Sequence, residues 1–315
     1  MILDLFAGPG GWDEGLRLLG RTDVLGVEMD RACAETRRQA GHATIEADVC
    51  TLNPADYIGW EGLIASPPCQ TFSSAGRQRG LADLRGQLVY EVLRFAKDMR
   101  PAWICCENVK EVLPIWRAFG AELRNMGYHA WAGLLNAADF GVPQSRKRAF
   151  LLASLRSFNP PTPTHTSRGP DGLFDRLEQW VTMGQALGLM PSDLDLDQQW
   201  ALKRPATTVV RSFRPDIVAA PGYRLAGDGP RQNTPGSITV TEDQLCILQG
   251  VRSDYPFQGG KTKRLSLIGA FLPPAWGAAI LSTVMHAPEV CMECGNDAPA
   301  EGMTWCLECL TQVAA

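Results

Sequence analysis

Short apolar runs alternate with segments of helical apolar spacing through the first 155 residues of this 315-residue chain. The runs ILDLF (2–6), VLGVE (24–28), LIAS (63–66), WICCE (103–107) and AFLLAS (149–154) predict buried strands. Between them, GWDEGLRLLG, DRACAETRRQAG, GQLVYEVLRFAKDM and VLPIWRAFGAELRNMG carry apolar residues at the helical period. Strand–helix alternation of this kind predicts a parallel, doubly wound α/β sheet.

The pattern breaks at SFNPPTPTHTSRGPDG (157–172), a Pro-, Thr-, Ser- and Gly-rich boundary. From there to about residue 262 the chain is irregular, with one helix-like piece near DRLEQWVTMGQALG. LSLIGAFLPPAWGAAILSTVMH (265–286) is apolar and helical again, and the tail from Cys291 is cysteine-paired. We therefore divide the chain into a first α/β domain over 1–155, a smaller domain over 156–264, a returning segment over 265–288 and a tail over 289–315. There is no internal repeat of 20–50 residues.

Composition is that of an ordinary globular protein, with 45% hydrophobic and 20% charged residues. A net charge of −4 gives no bulk signature of nucleic-acid binding. The basic residues are instead clustered, at Arg77–Arg79, Arg146–Arg148 and Lys261–Arg264, where they can meet phosphates. Met1 leads into the first strand with no basic n-region, and no apolar run reaches roughly 18 residues, so neither export nor membrane insertion is expected. Ten cysteines without an export signal fit a reducing, cytoplasmic setting better than a disulfide framework.

The first chemical signal is DLFAGPGGW (4–12), a Gly-rich turn directly after the first strand. Such a turn lets backbone amides approach a ligand closely. Glu28 ends the second strand, where a carboxylate can accept both hydroxyls of a ribose, and Met29 can lie against an adenine face. Asp48 of EADVC, at the end of a third strand, can accept from an exocyclic amine. Three such residues at successive strand ends point to an adenosine-type cofactor. The second signal is SPPCQTFSSAG (66–76), in which two prolines fix the backbone ahead of Cys69 and a flexible polar loop follows it. A nucleophile that must be aimed and then covered uses both features.

DLFAGPGG, PPCQTFS, CENVKEVL and NAADFGVPQSRKRAFLLA stand in the order found in cytosine-C5 DNA methyltransferases, and the chain closely resembles that family over about residues 1–155 and 204–286. The resemblance implies a Rossmann-like S-adenosylmethionine-binding domain and a smaller target-recognition domain. It implies that Cys69 attacks cytosine C6, that Glu107 serves N3, and that Arg148 binds O2 with Arg146 supporting the same pocket. It extends the cofactor set to Phe6, Ala7, Gly8, Gly10, Gly11, Glu28, Met29, Asp48, Val49, Pro68 and Leu88. A carboxyl group at N3 must hold or share a proton near neutral pH, which burial promotes. Because C6 is inaccessible within the stack, the base must be flipped out of double-stranded DNA. Gln70, Ser73, Arg77, Arg79, Asn108 and Gln144 are the candidate DNA-side residues, with Asn108 anchoring the cysteine loop.

The resemblance also has a departure. Ala270 stands where the family usually carries an asparagine bordering the cofactor's methionine end. Either S-adenosylmethionine is held with one hydrogen bond fewer, or the site admits a sulfonium with a larger or charged substituent. Beyond the family core, CMECGNDAPAEGMTWCLEC (291–309) places Cys291, Cys294, Cys306 and Cys309 as two C-x-x-C pairs eleven residues apart. Four thiolates at that spacing suit a tetrahedral structural Zn²⁺. The expected partner is double-stranded DNA, bound by a monomer, in a prokaryotic or phage-type setting. An RNA substrate is the runner-up, and the sequence leaves open whether a cognate restriction enzyme exists.

Overall fold

The structure, a computed structural model, describes residues 1–68, 84–168, 177–189, 202–209, 216–217 and 238–285. The alternation of the first half becomes β1 (Ile2–Leu5), β2 (Val24–Glu28), β3 (Ala43–Glu46), β4 (Gly62–Ala65), β5 (Trp103–Val109), β6 (His129–Asn136), β7 (Gln144–Ser145) and β8 (Lys147–Ser154). All but β7 form one seven-stranded sheet in the order β3-β2-β1-β4-β5-β8-β6.

The expected parallel sheet needs one correction. β8 runs antiparallel to both of its neighbours, β5 and β6. The connection from β6 to β8 holds only a short 3₁₀ turn at Ala137–Phe140 and the two residues of β7. A parallel crossover takes a dozen or more residues, so so short a link returns the chain in the opposite sense. β6 is not among the runs read above as strands, although its stretch AWAGLL (130–135) is apolar; it lies at the sheet edge, and only its last two residues are buried.

Helices cover both faces. Glu91–Met99 and Leu113–Asn125 bury Phe95, Trp116 and Phe119 against one face. α1 (Gly11–Leu18) and the helix Pro274–Met285 bury Trp12, Leu16, Trp276 and Ile280 against the other. A third core joins α2 (Arg31–Gln39) to Met183, Leu202, Val209, Leu245, Tyr255 and Phe271. The stretch 265–286, expected as one helical run, is two helices, Lys261–Ala270 and Pro274–Met285, because Pro273 and Pro274 cannot continue the first. Lys261–Met285 is long and apolar enough to span a membrane by composition, but 72% of its apolar window is buried in the protein. The helix-like piece near 175–188 shrinks to Met183–Leu187, whose start is set by a capping box between Thr182 and Gln185.

One charged cluster lies inside this frame. Arg37 of α2 is fully buried, and its two terminal nitrogens donate to the carboxylate oxygens of Asp13, each at 2.7 Å. It also donates to Ala7 O at 3.3 Å and Thr44 Oγ1 at 3.1 Å. Asp4, equally buried, comes only within 3.7 Å of Arg37, and neither of its carboxylate oxygens has a hydrogen-bond partner. Burial, reinforced by the Asp13 charge, holds the Asp4 carboxyl well above the usual carboxylate range despite Arg37. We read Asp13 as the counter-ion of Arg37 and Asp4 as the member kept protonated. Asp13→Asn should then cost about 3–5 kcal/mol, the usual result of leaving one buried charge unmatched. Asp4→Asn, which keeps the shape and cannot ionise, should stay within about 1.5 kcal/mol of the parent. Urea unfolding at neutral pH tests this, and equal damage from the two substitutions would overturn the assignment.

Candidate active site

The Gly-rich turn after β1 is built from strained backbone. Phe6, Gly8 and Gly10 have φ of 56°, 58° and 107°. At Gly8 a Cβ would meet nothing within 4 Å, so the turn faces open space there. At Gly11 it would meet Leu272 N at 2.5 Å, so the segment between the last two helices lies directly on the turn. Ala7, 5% exposed, donates its amide to Val27 O at 3.0 Å, which ties the turn to β2.

Glu28 ends β2 beside this turn. Its Oε2 accepts from Gly8 N at 2.8 Å and its Oε1 from Asp30 N at 2.7 Å. Each oxygen keeps a second lone pair for a ribose hydroxyl. Met29, next in the chain, is 69% exposed, an apolar side chain left uncovered at the end of a strand. Asp48 lies two residues beyond the end of β3, not at it. Its carboxylate accepts from Cys50 N at 3.0 Å and caps the turn Val49–Thr51. Val49 is buried and Leu88 half-buried. Arg94, which the sequence did not single out, holds that turn by donating to Val49 O at 3.0 Å and Leu52 O at 2.9 Å. Open space over Gly8, an oriented carboxylate and an uncovered Met29 fit an adenosine-bearing ligand.

A second group forms where β5 meets β8. In their antiparallel register Val109 pairs with Arg148, so Glu107 and Arg148 are diagonal neighbours on one face. Arg148 Nε lies 3.1 Å from Glu107 Oε1, with the two side chains 13% and 14% exposed. One terminal nitrogen of Arg148 donates to Lys147 O at 2.9 Å. Asn108, 2% exposed, donates from Nδ2 to Pro67 O at 3.0 Å, so the strand that carries Glu107 also grips the backbone two residues before Cys69. Pro68 is half-buried. Cys69, Gln70, Ser73, Arg77 and Arg79 lie outside the described residues, as do Cys291, Cys294, Cys306 and Cys309.

A family model described as C-5 cytosine-specific DNA methylase matches residues 1–179. The type II methyltransferase M.NgoFVII of Neisseria gonorrhoeae is 34% identical to this chain, covering 87% of it and 83% of that protein. The chain belongs to the C-5 cytosine-specific DNA methylase family. M.FnuDI of Fusobacterium nucleatum is 35% identical over 50% of this chain and 48% of that protein. Among solved structures, the Entamoeba histolytica methyltransferase EhMeth aligns with a TM-score of 0.63 at 13% identity, over 90% of this chain and 97% of that one, and shows the shared fold.

The methylase is an S-adenosylmethionine-dependent enzyme acting on cytosine C5 in DNA. Three residues expected at its substrate are used differently. Gln144 is fully buried: its Nε2 donates to Leu248 O at 3.2 Å and Gln249 Oε1 at 2.7 Å, and its Oε1 accepts from Val209 N at 2.9 Å. An amide so engaged inside the protein is not a DNA-side residue. Arg146, 4% exposed, donates from one nitrogen to Val209 O and Gly269 O, each at 3.1 Å. It ties the start of β8 to the end of the helix Lys261–Ala270 and does not share the Glu107–Arg148 pair. Asn108 is likewise too buried to meet DNA, and its contact is with the Pro67 backbone. Gln249 completes the knot, donating to Ile268 O at 2.6 Å and Phe271 O at 3.3 Å. Sequence reasoning passed over Gln249, Asp13 and Arg37 because a buried polar residue carries no signal in an apolar pattern.

The expectation that Glu28 accepts from the cofactor's ribose yields a direct test. Glu28→Ala removes the acceptor of Gly8 N together with the one expected for the ribose, and should weaken S-adenosylmethionine binding by about 1–3 kcal/mol. Titration calorimetry on the folded variant measures this, and an unchanged affinity would place the ribose elsewhere.

Proposed function

We propose that the methylase works on a cytosine turned out of double-stranded DNA, through a covalent adduct between Cys69 Sγ and C6. The observation that carries this reading is the Glu107–Arg148 pair, whose Glu107 stands on the strand that grips Pro67. C5 of cytosine is a poor nucleophile. Addition of a thiolate at C6 pushes the ring electrons toward N3 and O2 and makes C5 enamine-like. Glu107 meets the charge at N3 with a proton or a hydrogen bond, and Arg148 meets it at O2. Bound S-adenosylmethionine supplies an electrophilic methyl group. Loss of the C5 proton then expels the Cys69 thiolate and restores the ring.

Cys50, Cys105, Cys106 and Cys246 are poor candidates for the nucleophile. Burial pushes the thiols of Cys105 and Cys106 up, and that of Cys246 up to about 12; burial and the neighbouring Glu91 and Asp48 also raise Cys50. Thiols held neutral are weak nucleophiles. Pro67 and Pro68, by contrast, fix the backbone that delivers Cys69. Cys69→Ser should abolish methyl transfer and leave S-adenosylmethionine affinity within about threefold, since a hydroxyl is a far weaker nucleophile at the same place. Tritium transfer and cofactor titration on one preparation check it, and robust activity in the variant would remove the mechanism.

We further assign target recognition to the 156–264 region, whose described parts share the third core with α2 and the helix Lys261–Ala270. The short region fits a short site read by a monomer in the cytoplasm. Type II names among the relatives support pairing with a restriction enzyme. We assign one structural Zn²⁺ to Cys291, Cys294, Cys306 and Cys309 on their spacing. Among the described residues no cluster of three or more His, Cys, Asp or Glu could hold a metal. Metal analysis should find one zinc per full chain and none in protein ending at Val290; zinc retained in the shortened chain would move the site.

A further inference from the structure

We infer that Trp12 is a positioning residue for the nucleophile, acting through Ser66. Trp12 opens α1 immediately after the Gly-rich turn, and it is 2% exposed. Its indole Nε1 donates to Ser66 Oγ at 2.9 Å, across 54 residues of chain. Ser66 follows the end of β4 directly and precedes Pro67, Pro68 and Cys69. Its own amide donates to Leu5 O at 3.1 Å, the last residue of β1. The neighbouring Pro67 carbonyl is held by Asn108 from β5.

The entry to the nucleophile is thus held from two sides. One hold comes from the strand that carries Glu107, the other from the helix that begins at the cofactor turn. The indole has no freedom to release Ser66 and turn elsewhere. Its ring packs edge-on to Phe150 of β8 at 6.4 Å and 90°, and Phe150 packs in turn on Trp276 at 5.0 Å. Phe150 pairs in register with Glu107. A burial role alone would be met by any large apolar ring; the indole N–H adds a directed bond, and prolines transmit its placement because they allow little backbone rotation. This rests on the reading of Cys69 as nucleophile.

The test compares Trp12→Phe, which keeps an aromatic ring and deletes the donor, Ser66→Ala, which deletes the acceptor, and the double variant. The readouts are the rate of covalent trapping on duplex DNA containing 5-fluorocytosine, S-adenosylmethionine affinity and melting temperature, all on the full chain. Each single variant should trap about three- to tenfold more slowly, the range of one net hydrogen bond, with cofactor affinity unchanged within about twofold. The double variant should be no slower than the slower single, because both delete the same bond. Additive losses, or losses that appear in cofactor affinity or melting temperature with trapping unaltered, would overturn the inference. A parent protein that forms no adduct would sink the Cys69 mechanism, and this inference with it.

Discussion

The site depends on a cation with nowhere to go. Arg37 is 0% exposed, and its guanidinium lies where a side chain at position 26 would stand: a Cβ on Gly26 would come within 1.9 Å of it. Taking a guanidinium out of water costs several kcal/mol unless it is matched. The match is Asp13, in the first turn of α1, gripped by two parallel bonds. The same guanidinium takes Ala7 O, inside the Gly-rich turn. The energetic demand of one buried charge therefore fixes α2, β2, the turn and α1 relative to one another. The positive-φ backbone of Phe6, Gly8 and Gly10 is held in place by that demand, in the way strained turns persist where their surroundings over-determine them.

From this anchor the rest of the site is placed by contact. Tyr255 OH donates to Pro9 O at 2.7 Å, and Gly11 lies against the backbone of Leu272. Both holds come from the C-terminal part of the chain, so the turn is clamped by residues more than 240 positions away. Lys263 adds an ion pair with Asp30 at 2.5 Å, beside the amide that orients Glu28. Part of the tertiary structure around the Gly-rich turn is therefore built from the segment that carries Ala270. Ala270 lies at its heart, between Gly269, whose carbonyl accepts from Arg146, and Phe271, whose carbonyl accepts from Gln249. The backbone on both sides of Ala270 is pinned by buried polar side chains, so exchange of the side chain at 270 leaves the wall it belongs to in place.

How far the sequence disclosed this follows from the kind of signal each part emits. Strands buried on both faces appear as apolar runs, and β1, β2, β4 and β5 were legible for that reason. Edge strands are not so buried: β3 is four residues with no long apolar run, and β6, although its stretch AWAGLL is apolar, buries only its last two residues. The direction of β8 is a matter of connection length, which a periodicity reading does not weigh. Glu28, Glu107 and Arg148 stand in motifs that fall near strand ends, which is where the structure places them. Gln144 and Arg146 belong to the same motif, and that is why they were grouped with the substrate. A motif records residues that must be present together, and here Gln144 and Arg146 are taken up inside the protein whereas Arg148 pairs with Glu107.

The antiparallel turn of β8 gives that division its physical form. Arg146 and Arg148 are two residues apart, the spacing that puts side chains on one face of an extended chain. Arg146 precedes β8 and is taken up by the carbonyls of Val209 and Gly269, whereas Arg148, inside it, is carried to the diagonal of Glu107. Reversal of the strand brings this about: it enters the sheet at the end where β5 leaves it, so its first residues meet the last residues of β5. A parallel strand in that slot would present its last residues there instead. Arg148 spends Nε on Glu107 and one terminal nitrogen on Lys147 O. On the proposed mechanism, a carboxyl and a guanidinium group paired in advance would need little reorganisation when charge develops on the ring, and electrostatic stabilisation is most effective under that condition.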